Sequence, residues 1–259
     1  MRLKDKVVIV TGSTTGIGEA IARRCVAEGA RVLVHGLERE LGEAVVRELG
    51  NAARLHVSDL SQAAAAADLI RAGLDAFGGR IDGLVNNAAW IPRADLAKTD
   101  APLFDRTMAV NVRAPLLLIK AALAALAAAR GSVVNIGSIN AYCGEPNLLP
   151  YSLSKGALMT LTRNLGDALH RDHGVRVNQI NPGWIGTANE HRVQTAMGKP
   201  ADWVTRLPKE FAPSGGIIAP EVIAGAVVYW LSDESRPVSG TVMEMEQYPV
   251  IGRNPPKEP

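Results

Sequence analysis

Short apolar runs rich in β-branched residues alternate with longer helix-forming stretches along the chain. The runs Val7–Val10, Arg31–Val34, Ala53–Val57, Gly83–Val85, Ser132–Ile136, Arg176–Ile180 and Thr241–Met245 predict strands. Most are continuously apolar, the pattern of strands covered on both faces. Stretches at 17–28, 38–49, 61–77, 102–128, 151–173 and 220–231 predict the intervening helices. The alternation predicts an α/β fold, a doubly wound parallel sheet of Rossmann type between two helical layers, as one domain over 1–259. The Pro- and Gly-rich segment from Asn181 to Pro220 breaks the rhythm. Long loops in compact domains are commonly functional, so a substrate lid is expected around 184–218.

Composition narrows the class. The 259 residues are 47% apolar and 21% charged, ordinary for a soluble globular protein. A formal charge of +2 without any Lys/Arg cluster argues against nucleic acid as a partner. Cys25 and Cys143 lie outside metal-ligand spacing and are expected as free thiols in a reducing compartment. Val7 opens the first strand too early for a signal peptide. The longest apolar run, Leu116–Ala129, is interrupted by Lys120 and reads as too short to span a bilayer. A cytoplasmic protein with no membrane partner is expected. His35, His56, His170, His173 and His191 have no partner at metal-ligand spacing, so no metal is expected.

Two segments carry candidate chemistry. Thr11-Gly12-Ser13-Thr14-Thr15-Gly16-Ile17-Gly18 joins the first strand to the first helix, where N–H groups and the helix dipole would meet a dinucleotide pyrophosphate. Its glycines allow a tight turn and close backbone approach. Tyr151 and Lys155 fall on one helix face. A phenol ordinarily titrates near about 10. An ammonium about 4 Å away, at an effective dielectric of about 20, favours the phenolate by roughly 4 kcal/mol, or about three pKa units. Burial opposes that shift. Read alone, the same patterns also fit an ordinary βα turn and a surface helix.

In order along nearly the whole chain, these and further segments resemble the short-chain dehydrogenase/reductase family. Its signatures are matched by Thr-Gly-x-x-x-Gly-Ile-Gly at 11–18 and Tyr-x-x-x-Lys at 151–155. Asp59-Leu60 follows the third strand, where the family places an acid near the adenine. Asn86-Asn87-Ala88-Ala89 resembles the family's Asn-Asn-Ala-Gly, with Ala89 in place of glycine. Asn111 lies in Val110-Asn111-Val112, Ser138 precedes Tyr151 at the family spacing, and Asn181-Pro182-Gly183-Trp184-Ile185-Gly186-Thr187 resembles the segment that holds the nicotinamide. Glu246-Gln247-Tyr248 departs from the usual Asp-Gly-Gly, and 249–259 extends beyond it.

The resemblance implies an NAD(P)-dependent oxidoreductase interconverting a secondary alcohol and a ketone. Tyr151 would be the acid/base and Lys155 would lower its pKa and bind the nicotinamide ribose. Ser138 would donate to the reacting oxygen, and Asn111 would hold a water behind Lys155. Gly12, Ser13, Thr14, Gly16, Ile17, Gly18, Asp59, Leu60, Asn86, Ala88, Pro182, Gly183, Ile185 and Thr187 would complete the cofactor site, with Tyr151 and Lys155. Gly36 stands where an NAD-selecting acid is usual, which leaves NADP slightly favoured over NAD. Leu37 stands where NADP-using relatives often carry arginine, and Arg39 is the nearest cation.

Substrate contacts would come from Ser138, Asn140, Tyr151 and Trp184. Trp90, Arg93, Tyr142, Glu145, Asn147, Asn189, Glu190 and His191 would complete a polar cleft suited to a sugar, polyol or other hydroxylated small molecule. The alternatives are a 3-oxoacyl-type reductase and, from another class, a dinucleotide-sensing binding protein without turnover. A dimer or tetramer built on the helices at 102–128 and 151–173 is also implied.

Overall fold

The computed structural model describes residues 1–142 and 144–251; Cys143 and the tail from 252 lie outside them. Seven strands form one sheet in the order β3-β2-β1-β4-β5-β6-β7. They are β1 (Val7–Val10), β2 (Arg31–Gly36), β3 (Ala53–Val57), β4 (Gly83–Asn86), β5 (Ser132–Ile136), β6 (Arg176–Pro182) and β7 (Val242–Met245). Every neighbouring pair is parallel. The helices are α1 (Gly16–Ala27), α2 (Arg39–Leu49), α3 (Ala63–Ala76), α4 (Ala101–Met108), α5 (Ala114–Ala129), α6 (Leu149–His173), α7 (Ala188–Ala196) and α8 (Pro220–Leu231).

Successive strand side chains point to opposite faces, and the two faces feed two cores. Val8, Val10, Val32 and Val34 pack with α1 and α8, whereas Val7, Ile9 and Leu33 pack with α3 and α5. Burying each such side chain contributes roughly 1.5–3 kcal/mol. The continuously apolar strands are thus covered on both sides, as their pattern predicts.

All the predicted strands and helices form, with shifted ends. β2 runs on to Gly36 and β6 to Pro182. The broken rhythm after β6 conceals α7 and a 3-10 turn at Trp203–Arg206, because the polar surface of α7 leaves little apolar periodicity to read. The helix expected at 102–128 begins at Ala101, capped by Asp100 Oδ1, which accepts from the Leu103 N–H at 2.9 Å. It widens to a π turn over Ala109–Arg113 before α5.

This join corrects the reading of Leu116–Ala129. Residues Ala101–Ala129 are one continuous helix of 29 residues, long and apolar enough by length and composition to cross a membrane. In the fold, Leu118, Ile119, Ala122 and Leu126 are buried against the sheet and α3. Cys25 is a buried free thiol whose pKa burial pushes up to about 12.

Candidate active site

The sheet order places β1 beside β4, so the crossovers on either side leave in opposite directions. A ligand crevice opens outside the strand ends at such a switch point. The glycine turn after β1 forms one wall. Gly12 has φ +61, and a Cβ there would come within 2.8 Å of Ala88 Cα. Asn87 Nδ2 donates to the Thr11 and Gly12 carbonyls at 2.9 Å each, while the N–H groups of Asn87 and Ala88 donate to Thr11 Oγ1 at 3.0 Å. The exit of β4 is thereby clamped to the turn.

Gly16, with φ +60, faces Thr187 across a slot; a Cβ on it would sit 3.4 Å from Thr187 Cγ2 and begin to fill that slot. The first N–H groups of a helix have no intrahelical acceptor, so α1 offers those of Gly16, Ile17 and Gly18 to an anion here. A cleft of about 550 Å³ opens beside it, lined by Gly16, Glu19, Arg23, Thr187, His191 and Ile217 among others. Glycine backbone, helix start and open slot fit a dinucleotide pyrophosphate.

Some expected cofactor contacts are turned elsewhere. Ser13 Oγ donates to the Val10 carbonyl at 2.6 Å and accepts from the His35 N–H at 3.0 Å, so its hydroxyl staples β1 to β2. Thr14 is buried, and Gly36 lies directly beneath it, since any Cβ at 36 would overlap the Thr14 side chain. Asp59 Oδ1 accepts from the Ser61 N–H at 2.8 Å, and the Leu60 side chain is buried in the core. Asn86 points into the sheet and donates to Asn135 Oδ1 at 2.8 Å. At these positions what remains for a cofactor is backbone and the free side of Asp59.

The catalytic candidates converge at the ends of β5 and α6. Tyr151 and Lys155 are both buried, one turn apart on α6. Lys155 Nζ donates to the Ile136 carbonyl at 2.7 Å and lies 5.4 Å from the Tyr151 ring centre. Ser138, just past β5, faces the Tyr151 phenol and opposes the rise of its pKa, while Ser138 Oγ accepts from the Asn140 N–H at 3.1 Å. Burial pushes the Tyr151 phenol up to about 12, against the opposing effect of Ser138, and pushes Lys155 down to about 7. Burial is the largest influence on the phenol and raises it, where a lowering by Lys155 was expected. Desolvation acts on both groups, and an amine that is only partly charged at neutrality supports a phenolate weakly.

The Asn111 side chain is fully engaged within the fold. It sits buried in the π turn, accepts from the Trp90 N–H at 2.8 Å, and donates to the Trp90 carbonyl and Ser154 Oγ at 2.9 Å each. Ser154 Oγ in turn donates to the Tyr151 carbonyl at 2.6 Å. The amide braces the Tyr151 turn, leaving no side-chain N–H for a water. Its main-chain carbonyl is freer, because Pro115, four residues on, has no N–H to close the α-helical bond.

Beyond β6, the Ile185 strand fragment bridges to Ile218, closing the segment that holds α7 and Trp203 into one unit. Inside it the Trp184 indole N–H donates to Glu190 Oε1 at 2.8 Å, Trp203 lies 5.1 Å from Trp184, and Lys199 Nζ sits 5.1 and 5.0 Å from the two ring centres. Glu190, expected in the cleft, joins this packing, while exposed His191 lines the cleft beside Gly16 and lies 5.5 Å from Trp203. Tyr142 lies against Asn181 and Glu244, and burial raises its pKa. Arg93, Glu145, Asn147 and Asn189 are exposed.

Sequence reasoning missed three residues that hold this site. His35 Nδ1 accepts from the Gly12 N–H at 3.2 Å, so Nε2 carries the proton and faces Ser58 O at 3.1 Å. Glu246 Oε2 accepts from the Trp184 N–H at 2.9 Å and lies where a Cβ on Gly183 would fall. Gln247 accepts from the Ser214 N–H at 3.0 Å and donates to the Gly216 carbonyl at 2.7 Å. The departure from Asp-Gly-Gly at 246–248 was the available signal, and it marks contacts to the Pro-Gly segment and the lid.

The chain is similar in sequence and fold to known proteins. The model of a family described as enoyl-(acyl carrier protein) reductase matches residues 12–247. The 2-(S)-hydroxypropyl-CoM dehydrogenase 3 of Xanthobacter autotrophicus is 36% identical over 250 residues, 95% of this chain and 96% of its own. The L-fucose dehydrogenase of Mus musculus is 35% identical over 90% of this chain and 84% of its own. The structure of a 3-ketoacyl-(acyl-carrier-protein) reductase from Brucella melitensis, complexed with NADH, aligns with a TM-score of 0.82 at 27% identity, covering 93% of this chain and 97% of that one.

Proposed function

The chain belongs to the short-chain dehydrogenase/reductase family of NAD(P)-dependent oxidoreductases, and on that premise we propose that Tyr151 is the acid/base that interconverts a secondary alcohol and a ketone. The observation that carries this reading is the buried Tyr151 phenol facing Ser138, with buried Lys155 one turn away. The dinucleotide, when bound, supplies or accepts the hydride. Gly12, Gly16, Ile17, Gly18 and Thr187 would hold its pyrophosphate, and Pro182, Gly183 and Ile185 its nicotinamide end. Tyr151 gives its phenolic proton to the carbonyl oxygen on reduction and takes the hydroxyl proton on oxidation, while Ser138 donates to the same oxygen. A phenol pushed up to about 12 stays protonated at neutrality, which suits the proton-donating direction.

We propose a hydroxylated small molecule as substrate, covered by a lid at 184–218 within the one domain. Asn140, two residues after Ser138, and Trp184, directly after Pro182-Gly183, would supply polar and flat apolar surface. The 3-oxoacyl reading draws support from the description of the Brucella melitensis protein, and the matching family's description shares with it only the acyl carrier. A substrate panel of hydroxylated ketones and acyl thioesters decides between them, and turnover of the thioesters alone would overturn the first. NADP is proposed over NAD because β2 ends on Gly36 and exposed Leu37 without an acid. We also propose a cytoplasmic homodimer or homotetramer; Leu116 on α5 and Leu153 on α6 are exposed at 42% and 52%, and sedimentation would read the assembly.

A further inference from the structure

Ser138 presents its hydroxyl to Tyr151, but nothing in its own side chain fixes the backbone that carries it. That backbone is held from beneath. The Ser138 N–H donates to Asn181 Oδ1 at 3.1 Å, and Gln179 Nε2 donates to the same oxygen at 2.7 Å. Gln179 Oε1 meets Thr162 Oγ1 at 2.8 Å, Asn135 Nδ2 donates to Thr162 Oγ1 at 2.8 Å, and Asn86 Nδ2 donates to Asn135 Oδ1 at 2.8 Å. The chain of groups crosses from β4 through β5 and α6 to β6, and its five side chains are between 0% and 3% exposed.

The direction of this chain is forced. A main-chain N–H can only donate, so Asn181 must turn its oxygen to Ser138. Gln179 must then present its NH2 to that oxygen, which leaves its own oxygen facing Thr162. The Thr162 hydroxyl therefore donates to Gln179 and is shared with the Leu158 carbonyl at 2.9 Å. A reversed amide anywhere between Thr162 and Asn181 would set like groups against each other in a buried interior, at a cost comparable to a lost buried hydrogen bond. Gly137 completes the fit. A Cβ on it would overlap both Asn181 Oδ1 and Gln179 Nε2, so glycine directly before Ser138 is what lets the two amides reach the Ser138 backbone.

We infer that Gln179, supported by Thr162, is a positioning residue for Ser138: it locks the Asn181 amide in the one orientation that accepts the Ser138 N–H, and so sets where the Ser138 hydroxyl stands against Tyr151. The inference rests on the proposed reading of Ser138 as donor to the reacting oxygen. Gln179 touches neither Tyr151 nor Lys155 among the contacts of the described residues, and acts only through Asn181 and Ser138.

The test combines two readouts on the full-length protein. Amide hydrogen exchange at Ser138 is measured for wild type, Gln179→Met and the milder Thr162→Val. Loss of one buried hydrogen bond should speed exchange at Ser138 by about tenfold, with Val134 in β5 unchanged, and Thr162→Ser should restore protection. This readout is independent of catalysis, so it stands if the proposed reaction proves wrong. The second readout is kcat with a turned-over carbonyl substrate, in the presence and absence of Ser138→Ala. Thr162→Val should lower kcat by about tenfold in the wild-type background and change it little beside Ser138→Ala, because the two act through one group. Unchanged Ser138 exchange in both variants, or an equal loss of kcat in both backgrounds, overturns the inference. Wild-type protein that turns over no carbonyl substrate would instead overturn the proposed function.

Discussion

His35 Nδ1 accepts the Gly12 N–H at 3.2 Å, tying the end of β2 to the glycine turn through a side chain that must stay neutral to do so. Burial pushes its pKa down to about 4. The unfolded chain, with an ordinary histidine near about 6.5, binds the proton more readily. Stability from this group is therefore present above about pH 6.5 and lost as pH falls toward 4, by up to about 3 kcal/mol. Denaturant melts of wild type and His35→Gln should converge between those pH values, because only the wild type carries this slope. Parallel curves would show that His35 titrates normally.

The same contact predicts a cofactor effect. His35→Ala frees the Gly12 N–H and loosens the turn, so dinucleotide Kd at pH 7.5 should rise by about three- to tenfold, the scale of one hydrogen bond. Isothermal titration reads it directly. Unaltered affinity would leave His35 a core residue only.

Tyr151→Phe removes the proton donor and leaves ring packing intact. Turnover should fall by about 10²–10⁴-fold with dinucleotide affinity nearly unchanged. A binding protein without turnover would show no difference in either quantity, so steady-state rates with parallel binding measurements separate the two classes.

Gly36→Asp alone should not yield a clean switch toward NAD. The new side chain would overlap Thr14, and overpacking of this kind costs typically about 1–3 kcal/mol. Thermal unfolding should show that loss for the single variant. Combining it with Thr14→Gly should restore stability and raise the NAD-to-NADP ratio of kcat/KM. A single variant that switches without losing stability would show that Thr14 moves freely.

Glu246 and Gly183 should behave as a pair. Gly183→Ala would place a methyl group on the Glu246 carboxylate, displacing the Pro-Gly segment and raising KM for the dinucleotide. In a Glu246→Gly background, which removes the Cβ at 2.9 Å together with the carboxylate, the same methyl group has room, so its added effect should largely vanish. Additive effects on KM would mean the two residues act apart.

The sheet, its parallel pairing and its helices other than α7 were legible from the amino-acid pattern because strands covered on both faces are dominated by apolar residues, as Val7–Val10 is. The glycine turn was legible for a similar reason: Gly12 and Gly16 hold positive φ, and at Gly12 the backbone approaches Ala88 where no side chain fits. Tyr151, Lys155 and Ser138 stood at spacings that survive in one dimension. What the sequence could not express was the state of those groups and what holds them. Whether Lys155 lowers the phenol depends on burial and on the Ile136 carbonyl, which lie far apart along the chain. His35, Gln179 and Glu246 looked like ordinary polar residues until folding set them against Gly12, Asn181 and Trp184. A hydrophobic period repeats locally and can be read locally. A buried hydrogen bond joins two distant positions once, and only the tertiary structure decides which two.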